Sequence, residues 1–365
     1  MKIVVIGNGY DLNIGLESSF GSFYSASYKT KNGAWDYDRI RKNVWLLLLY
    51  FKYIDGTVQG AVSFNSNQLD WMNIEDFICY VLNDERLLYD MEVCFVTKPK
   101  MHQPDGKIQS CTRNDQIFEL QSLIMSKIDD SGYSDIYELL ADDLFAVETD
   151  LIHYLDGLDK HLYSTKSTSL MSDLTNDFSK TYGISFNYTK LPAGLYDYNQ
   201  IHGSLDSDKI IIGVDRTKIK DKYIKKMRFT KSLRKMSFLS NISMLPKKDL
   251  VSEIVFFGHS LGSQDYSYFH SLFNYYDIYN SNVKLSFVYA DHHYIDKEKT
   301  KLDLVKCQKF KEQYIDSVYK LLNDYVDRSL TQKDADSFVT KLQLEGRLIV
   351  EELKTYSGYI RWRNK

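Results

Sequence analysis

A histidine, an asparagine and two glycine turns offer most of the chemistry legible in this sequence. His202 stands directly before Gly203, and Asn187 lies fifteen positions earlier in the run Phe186-Asn187-Tyr188-Thr189. Imidazole titrates near pH 6.5, roughly, so a neutral base is available to a His without special tuning. A neighbouring Asn can orient a water or a ribose hydroxyl. Each residue follows a short apolar run that reads as a strand, so both can reach one cleft. A histidine serving only the packing of the core is the plain alternative.

The glycine turns flank these residues in the chain. Gly7-Asn8-Gly9-Tyr10-Asp11 follows the apolar run Ile3-Val4-Val5-Ile6. A buried strand breaking into such a turn can bring backbone N–H groups close to a phosphate. The full dinucleotide fingerprint wants a third glycine where Leu12 stands, so a tight turn without a ligand is the competing reading. The second turn, Gly258-His259-Ser260-Leu261-Gly262 with Asp265 beyond it, matches the G-x-S-x-G of a serine hydrolase. Its triad would have to draw on Asp291 and His292 or His293, which are adjacent, and no HGGG-type segment precedes it. A hydrolase is therefore the weaker reading. Asp291-His292-His293 as a metal site is weaker than a solvated loop. The cysteines, Cys79, Cys94, Cys111 and Cys307, form no CxxC pair, so no zinc ribbon is expected.

The elements that must position these residues follow from periodicity. Short β-rich runs recur near 184–187, 199–202 and 210–214, and again at 251–257 and 283–290. From about Trp35 to Tyr182 the text is helical. Ile136, Leu139, Leu140, Leu144, Val147, Leu151, Leu155 and Leu158 recur mostly at three- and four-residue steps. Residues 301–354 read as charged amphipathic helices. Continuous apolar strands separated by helices imply an α/β fold with a mostly parallel, Rossmann-like sheet covered on both faces. It carries a large helical insertion and a helical C-terminal tail. The expected divisions are a nucleotide-binding core of 1–30 plus 183–300, a helical insertion of 31–182 and a C-terminal region of 301–365.

A net charge of −3 over 365 residues argues against whole-protein attraction to nucleic acid. Charge is uneven along the chain. Arg216–Lys248 holds twelve Lys or Arg against one acid, Asp221, while Asp129–Asp159 holds ten acids and no Lys or Arg. Either these are solvated faces, or the segments dock on each other, or 216–248 meets a polyanion or a second copy of the chain. The longest apolar stretch, Val44–Phe51, is too short to span a bilayer, and no secretory signal is read at the start. A cytoplasmic protein without membrane contact is expected.

Taken in order, the glycine-rich opening, FNYT at 186–189, IHGS at 201–204, IIIGVD at 210–215 and FFGHSLGSQDYSYF at 256–269 resemble the AbiH family of phage-defence proteins. That family in turn resembles sirtuin-like NAD-binding domains. The resemblance covers the start of the chain and about 184–290. It implies abortive infection as the function, set off by an unknown phage trigger, with NAD or a related nucleotide as ligand. On that likeness Gly7, Asn8, Gly9 and Asp11 would lie at the phosphates, Asn187 and His202 would be catalytic, and Gly258, Ser260 and Asp265 would border the nucleotide. NAD would be cleaved at the nicotinamide–ribosyl bond. The alternative is a nucleotide-binding sensor that acts through a partner without turnover. Two departures are visible: Thr189 stands where many sirtuin-like NADases carry Asp, and the zinc-binding pairs of protein deacylases are missing. No zinc is expected.

Overall fold

In the computed structural model, Lys2–Ile6 forms strand β1, and its residues are buried on both faces. The structure describes residues 1–53, 74–96, 113–158, 160–175, 177–221, 223–236, 245–290, 301–329 and 337–353. Five more strands join β1 in one sheet: β2 (Thr181–Ser185), β3 (Asp197–Gln200), β4 (Glu253–Phe257), β5 (Lys284–Tyr289) and β6 (Leu348–Glu352). The spatial order is β3-β2-β1-β4-β5-β6, and every pairing is parallel. The fold is α/β and Rossmann-like, as the apolar runs imply. The chain order reverses at β1. The crevice between β1 and β4 is therefore the topological switch point, where open parallel sheets bind ligands beyond their carboxyl ends.

Alternate residues of β1 serve opposite faces, as the period of two requires. Ile3 and Val5 join Tyr182, Ile254, Phe256 and Phe287 in one layer. That layer is closed by α12 (Tyr266–Tyr275), α13 (Lys301–Ser329) and α14 (Phe338–Leu344) through Phe269, Phe273, Leu321 and Phe338. Val4 and Ile6 face the other way and pack with Tyr10, Met171, Val255 and Phe257. Tyr10 lies on α1 (Asn8–Asn13) and Met171 on α9 (Lys160–Thr175). Burial on both faces explains why β1 and β4 read as unbroken apolar runs.

Strand β6 is a correction to the reading of 301–354 as helix throughout. Leu348-Ile349-Val350 is a short apolar triplet followed by two acids inside a charged tail, and the strand is only half buried at the sheet edge. A short edge strand with charges is a common way to end a sheet, and it leaves little periodicity to read. The expected strand at 210–214 shrinks to a two-residue ladder of Lys209–Ile210 against Gly203–Ser204, plus a bridge from Val214 to Thr230.

The chain forms two compact units. One holds the sheet and comprises Met1–Ser18, Gly157–Ile210 and Phe238–Lys365. The other comprises Ser19–Asp156 and Ile211–Ser237. The second contains α2 (Phe20–Tyr28), α3 (Tyr37–Ile40), α4 (Val44–Tyr53), α5 (Ile74–Asn83), α6 (Glu85–Val96), α7 (Arg113–Ser131) and α8 (Ile136–Asp156). The short helices α10 (Ile224–Met227) and α11 (Lys231–Met236) complete it. On α8 the apolar stripe from Ile136 to Leu155 is buried. The basic segment docks on acidic partners inside this unit. Arg234 makes two 2.6 Å bonds to the carboxylate of Glu148, and Lys225 lies 2.8 Å from Asp135. Lys231 reaches Glu75 at 2.7 Å. Glu148 is buried on α8 and also accepts the backbone N–H of Ile212, while Arg234 donates to the Ile212 carbonyl. No helix among the described residues is long and apolar enough to cross a membrane.

Candidate functional site

The loops after β1, β2, β3 and β4 carry the residues singled out above. These four strands are consecutive parallel neighbours, so all four loops leave the same edge of the sheet. At the switch point two turns press together. Gly9 N–H donates to the Gly258 carbonyl at 2.6 Å, and Gly7 N–H donates to the Phe257 carbonyl at 3.2 Å. Gly258 has a φ of 66°, and a Cβ there would lie 2.2 Å from Tyr10 N, so no other residue fits without displacement. The Tyr10 N–H donates to the Gly7 carbonyl at 2.8 Å. These three N–H groups are thus spent on protein carbonyls, and an anion held at the turn would be met by other groups. The Tyr10 phenol donates to the Ser167 carbonyl at 2.6 Å, and burial pushes its pKa up, so it remains a donor that fixes α1 against α9. The Asn8 side chain accepts the Ser18 hydroxyl at 2.6 Å and lies at the surface.

The loop after β2 brings two polar side chains inside, Asn187 and Thr189. Asn187 is 4% exposed, and among the described residues neither its Nδ2 nor its Oδ1 has a hydrogen-bond partner. Its backbone is held by Ser185, whose hydroxyl oxygen accepts the Asn187 N–H at 3.1 Å. A buried polar group left unmet costs about 1–3 kcal/mol, so an idle buried amide calls for a reason. Thr189 donates its hydroxyl to Asp11, which is 1% exposed, and Gln200 Nε2 donates to the Thr189 carbonyl at 2.9 Å. Asp11 is therefore buried beneath the loop, held by Thr189.

His202 follows β3 and is 4% exposed. Gly203, with a φ of 83°, turns the chain sharply behind it into the short ladder with 209–210. His202 Nε2 lies 3.2 Å from Asp265 Oδ1, and His259 Nε2 lies 3.3 Å from Asp265 Oδ2. One carboxylate from the turn before α12 thus lies close to two imidazoles. The edge or face of Phe186 packs against both, with ring centroids 5.2 Å from His202 and 4.7 Å from His259. His259 Nδ1 accepts the N–H of Leu261 at 2.9 Å, and Leu261 itself is in the left-handed region at a φ of 54°.

Ser260 is exposed. The left-handed residues of its turn are Gly258 and Leu261 rather than the serine, and α12 starts only at Tyr266. His259, the nearest imidazole in sequence, is turned to Leu261 and Asp265. A nucleophile elbow places its serine at the strained point of the turn with a helix directly behind. Asp291, His292 and His293, on which a triad or a metal would draw, lie outside the described residues. Among the described residues no group of three or more His, Cys, Asp or Glu is arranged to hold a metal ion. A cavity of about 630 Å³ lies instead in the helical unit, lined by Tyr28, Arg39, Lys42, Lys127, Asp143 and Asp150 among others. Its main charges are paired with each other, Lys127 with Asp143 at 2.7 Å and Arg39 with Asp150 at 3.2 Å. The strand-end site therefore has the better claim to chemistry.

The model of the family described as bacteriophage abortive infection AbiH matches residues 3–289. The chain belongs to the AbiH family. No match was found among curated proteins or among solved structures. The matched span begins in β1 and ends in β5, so it takes in all four loops of the site as well as the helical unit. An AbiH protein is by its family one of phage defence through abortive infection. In this AbiH chain the loops bring together Asn187, His202, Gly258 and Asp265 at one sheet edge, while Ser260 points outward. His259 was hidden in the sequence by its place inside G-x-S-x-G, where attention falls on the serine. Its signal was the same as that of His202, an imidazole at the end of an apolar strand.

Proposed function

We propose that this AbiH protein acts on NAD or a closely related nucleotide at the carboxyl edge of the sheet, releasing nicotinamide. The observation that carries the reading is the buried amide of Asn187, idle at both its nitrogen and its oxygen. A ribose hydroxyl both donates and accepts, so it would satisfy either end of that amide. The strand order, with its reversal at β1, supports a nucleotide at this edge. His202 is the base in this reading, and it takes a proton from the attacking water or from a ribose hydroxyl as the ribosyl centre becomes oxocarbenium-like. Asn187 holds the ribose or that water in line. Draining the nucleotide pool would stop the infected cell before the phage matures.

The test is direct. Purified protein is mixed with NAD, with and without phage lysate, and free nicotinamide is measured. Release by the wild type and its loss in His202→Ala is the expected result. No release under either condition, together with undiminished phage protection by a folded His202→Ala protein, overturns the catalytic reading. Binding of NAD without release would then place the protein as a nucleotide sensor acting through a partner.

A further inference from the structure

The outward face of α13 carries exposed apolar residues beside a patterned row of charges. Its inward face, with Tyr314, Val318, Leu321 and Tyr325, is buried in the layer that closes the sheet. At about 100° per residue, the opposite side holds Val305, Ile315 and Tyr319 within a wedge of roughly 80°. They are 63%, 41% and 56% exposed. Gln308 and Glu312, bonded to each other at 2.8 Å, fill the rest of that stripe. Along its edge, within about 40° of one another, stand Lys309, Asp316, Lys320 and Asp327, all exposed. None of these four is in an ion pair among the described residues, whereas Asp324 is held by Arg328 at 2.8 Å.

The four charges run plus, minus, plus, minus along the helix. In the reverse direction they run minus, plus, minus, plus. A second helix of the same sequence, laid antiparallel, therefore meets every charge with its opposite. Lys309 falls opposite Asp327 and Asp316 opposite Lys320, both about one midpoint, position 318. A parallel copy in register would set like against like. Two-fold pairing requires this kind of self-complementarity within one patch. About the same midpoint, Ile315 of each copy lies beside Tyr319 of the other. Glu312 falls opposite Asn323 and Asp324, where Arg328 already offsets the acid.

We propose that α13 is the contact between two copies of this chain, packed antiparallel about position 318. Ile315 and Tyr319 form its centre, and the Lys309–Asp327 and Asp316–Lys320 pairs run along its edge. Burial of the apolar pair supplies the affinity. Exposed ion pairs add little strength but set direction and register. A single helix face lies toward the lower end of specific interfaces, about 1,200 Å² in total, so the dimer forms reversibly and depends on concentration.

The experiment is analytical ultracentrifugation of the full chain over a concentration series at low salt. The wild type is expected to show a reversible monomer–dimer equilibrium. Tyr319→Ser should raise the dissociation constant by about tenfold or more, the loss expected for a central tyrosine. Asp316→Lys and Lys320→Asp each set like charges opposite one another, so each should self-associate more weakly than wild type. Mixed together, the two charge variants should dimerise again, because each then offers the charge that the other lacks. All four chains should melt alike, since the altered side chains are exposed. If a charge variant fails to fold, Tyr319→Ser and Ile315→Ser decide in its place. A wild type that stays monomeric up to its solubility limit overturns the proposal. So does a dimer that Tyr319→Ser leaves unchanged, or a mixture that associates no better than its parts. The measurement needs no nucleotide, so its outcome is independent of nicotinamide release.

Discussion

Thr189 donates its hydroxyl to both carboxylate oxygens of Asp11, at 2.8 and 3.0 Å, across 178 positions of sequence. The contact ties the helix after β1 to the loop after β2. It also gives a reason for a threonine rather than an acid at position 189: a second carboxylate would face the buried Asp11. Thr189→Val keeps the shape and removes the donor, and it should cost about 1.5–3 kcal/mol of stability, the range for hydrogen bonds to charged groups. Thr189→Asp should cost more. Denaturant unfolding of the two variants checks the order, and a Thr189→Asp protein as stable as wild type would remove this account.

His202→Ala should abolish phage protection while the protein still melts cooperatively. Losing a general base costs about 10²–10⁴-fold in rate, more than a defence racing phage assembly can lose. Asn187→Ala should weaken protection less, since it orients rather than transfers a proton. Because the Asn187 amide has no partner to orphan, its removal should leave the melting temperature near that of wild type. Plaque counts set beside melting curves separate these outcomes from simple loss of fold.

Ser260 should not behave as a nucleophile. The wild type is expected to resist a fluorophosphonate probe, and Ser260→Ala should protect cells as well as wild type does. Stoichiometric labelling of Ser260, read by mass spectrometry, would restore the hydrolase reading.

Arg234→Ala should destabilise the helical unit by about 3–5 kcal/mol, the cost of leaving a buried charge without its partner. Glu148 would lose two charge-assisted bonds while remaining buried, and burial already pushes its pKa up. Arg234→Lys should recover only part of the loss, because a single ammonium cannot bond both carboxylate oxygens as the guanidinium does. Urea midpoints measured on the full chain test both.

Burial pushes the Cys94 thiol up to about 11. A folded-state value above the unfolded one means that protonation favours the fold. The stability it contributes is therefore complete below the unfolded thiol's range and is lost as pH rises through about 11. Cys94→Ala should accordingly flatten the alkaline fall in stability between those limits. Alkylation of Cys94 by iodoacetamide should also be slow at pH 8, measured by peptide mass spectrometry.

The central strands were legible because burial on both faces leaves an unbroken apolar run, as in Ile3–Ile6 and Val251–Phe257. The α8 stripe was legible because a helix with one buried face repeats every three or four residues. Strand β6 was not, since an edge strand needs only a few apolar residues and Leu348–Val350 sits among charges. Helix α9 shows the limit of periodicity for grouping: its sequence continues the helical text of the insertion, yet it packs on β1 through Leu170, Met171 and Leu174. Segment 211–237 shows the same, since it is tertiary pairing, such as that of Arg234 with Glu148, Lys225 with Asp135 and Lys231 with Glu75, that assigns it to the helical unit.

Residue types and their order along the chain determined the parallel α/β class, the family and the four strand-end motifs, because each is a local pattern that a strand or turn imposes on its own residues. Which of those motifs meet was decided by the strand order. Sequence separation says nothing about whether β2 or β5 lies beside β1, and only adjacency in the sheet brings the turn of Gly9 onto Gly258. The joining of His202 and His259 on one Asp265 carboxylate belongs to the same level. Three side chains from two loops converge there because the sheet aligns the ends of β3 and β4 and Phe186 fills the space between the rings.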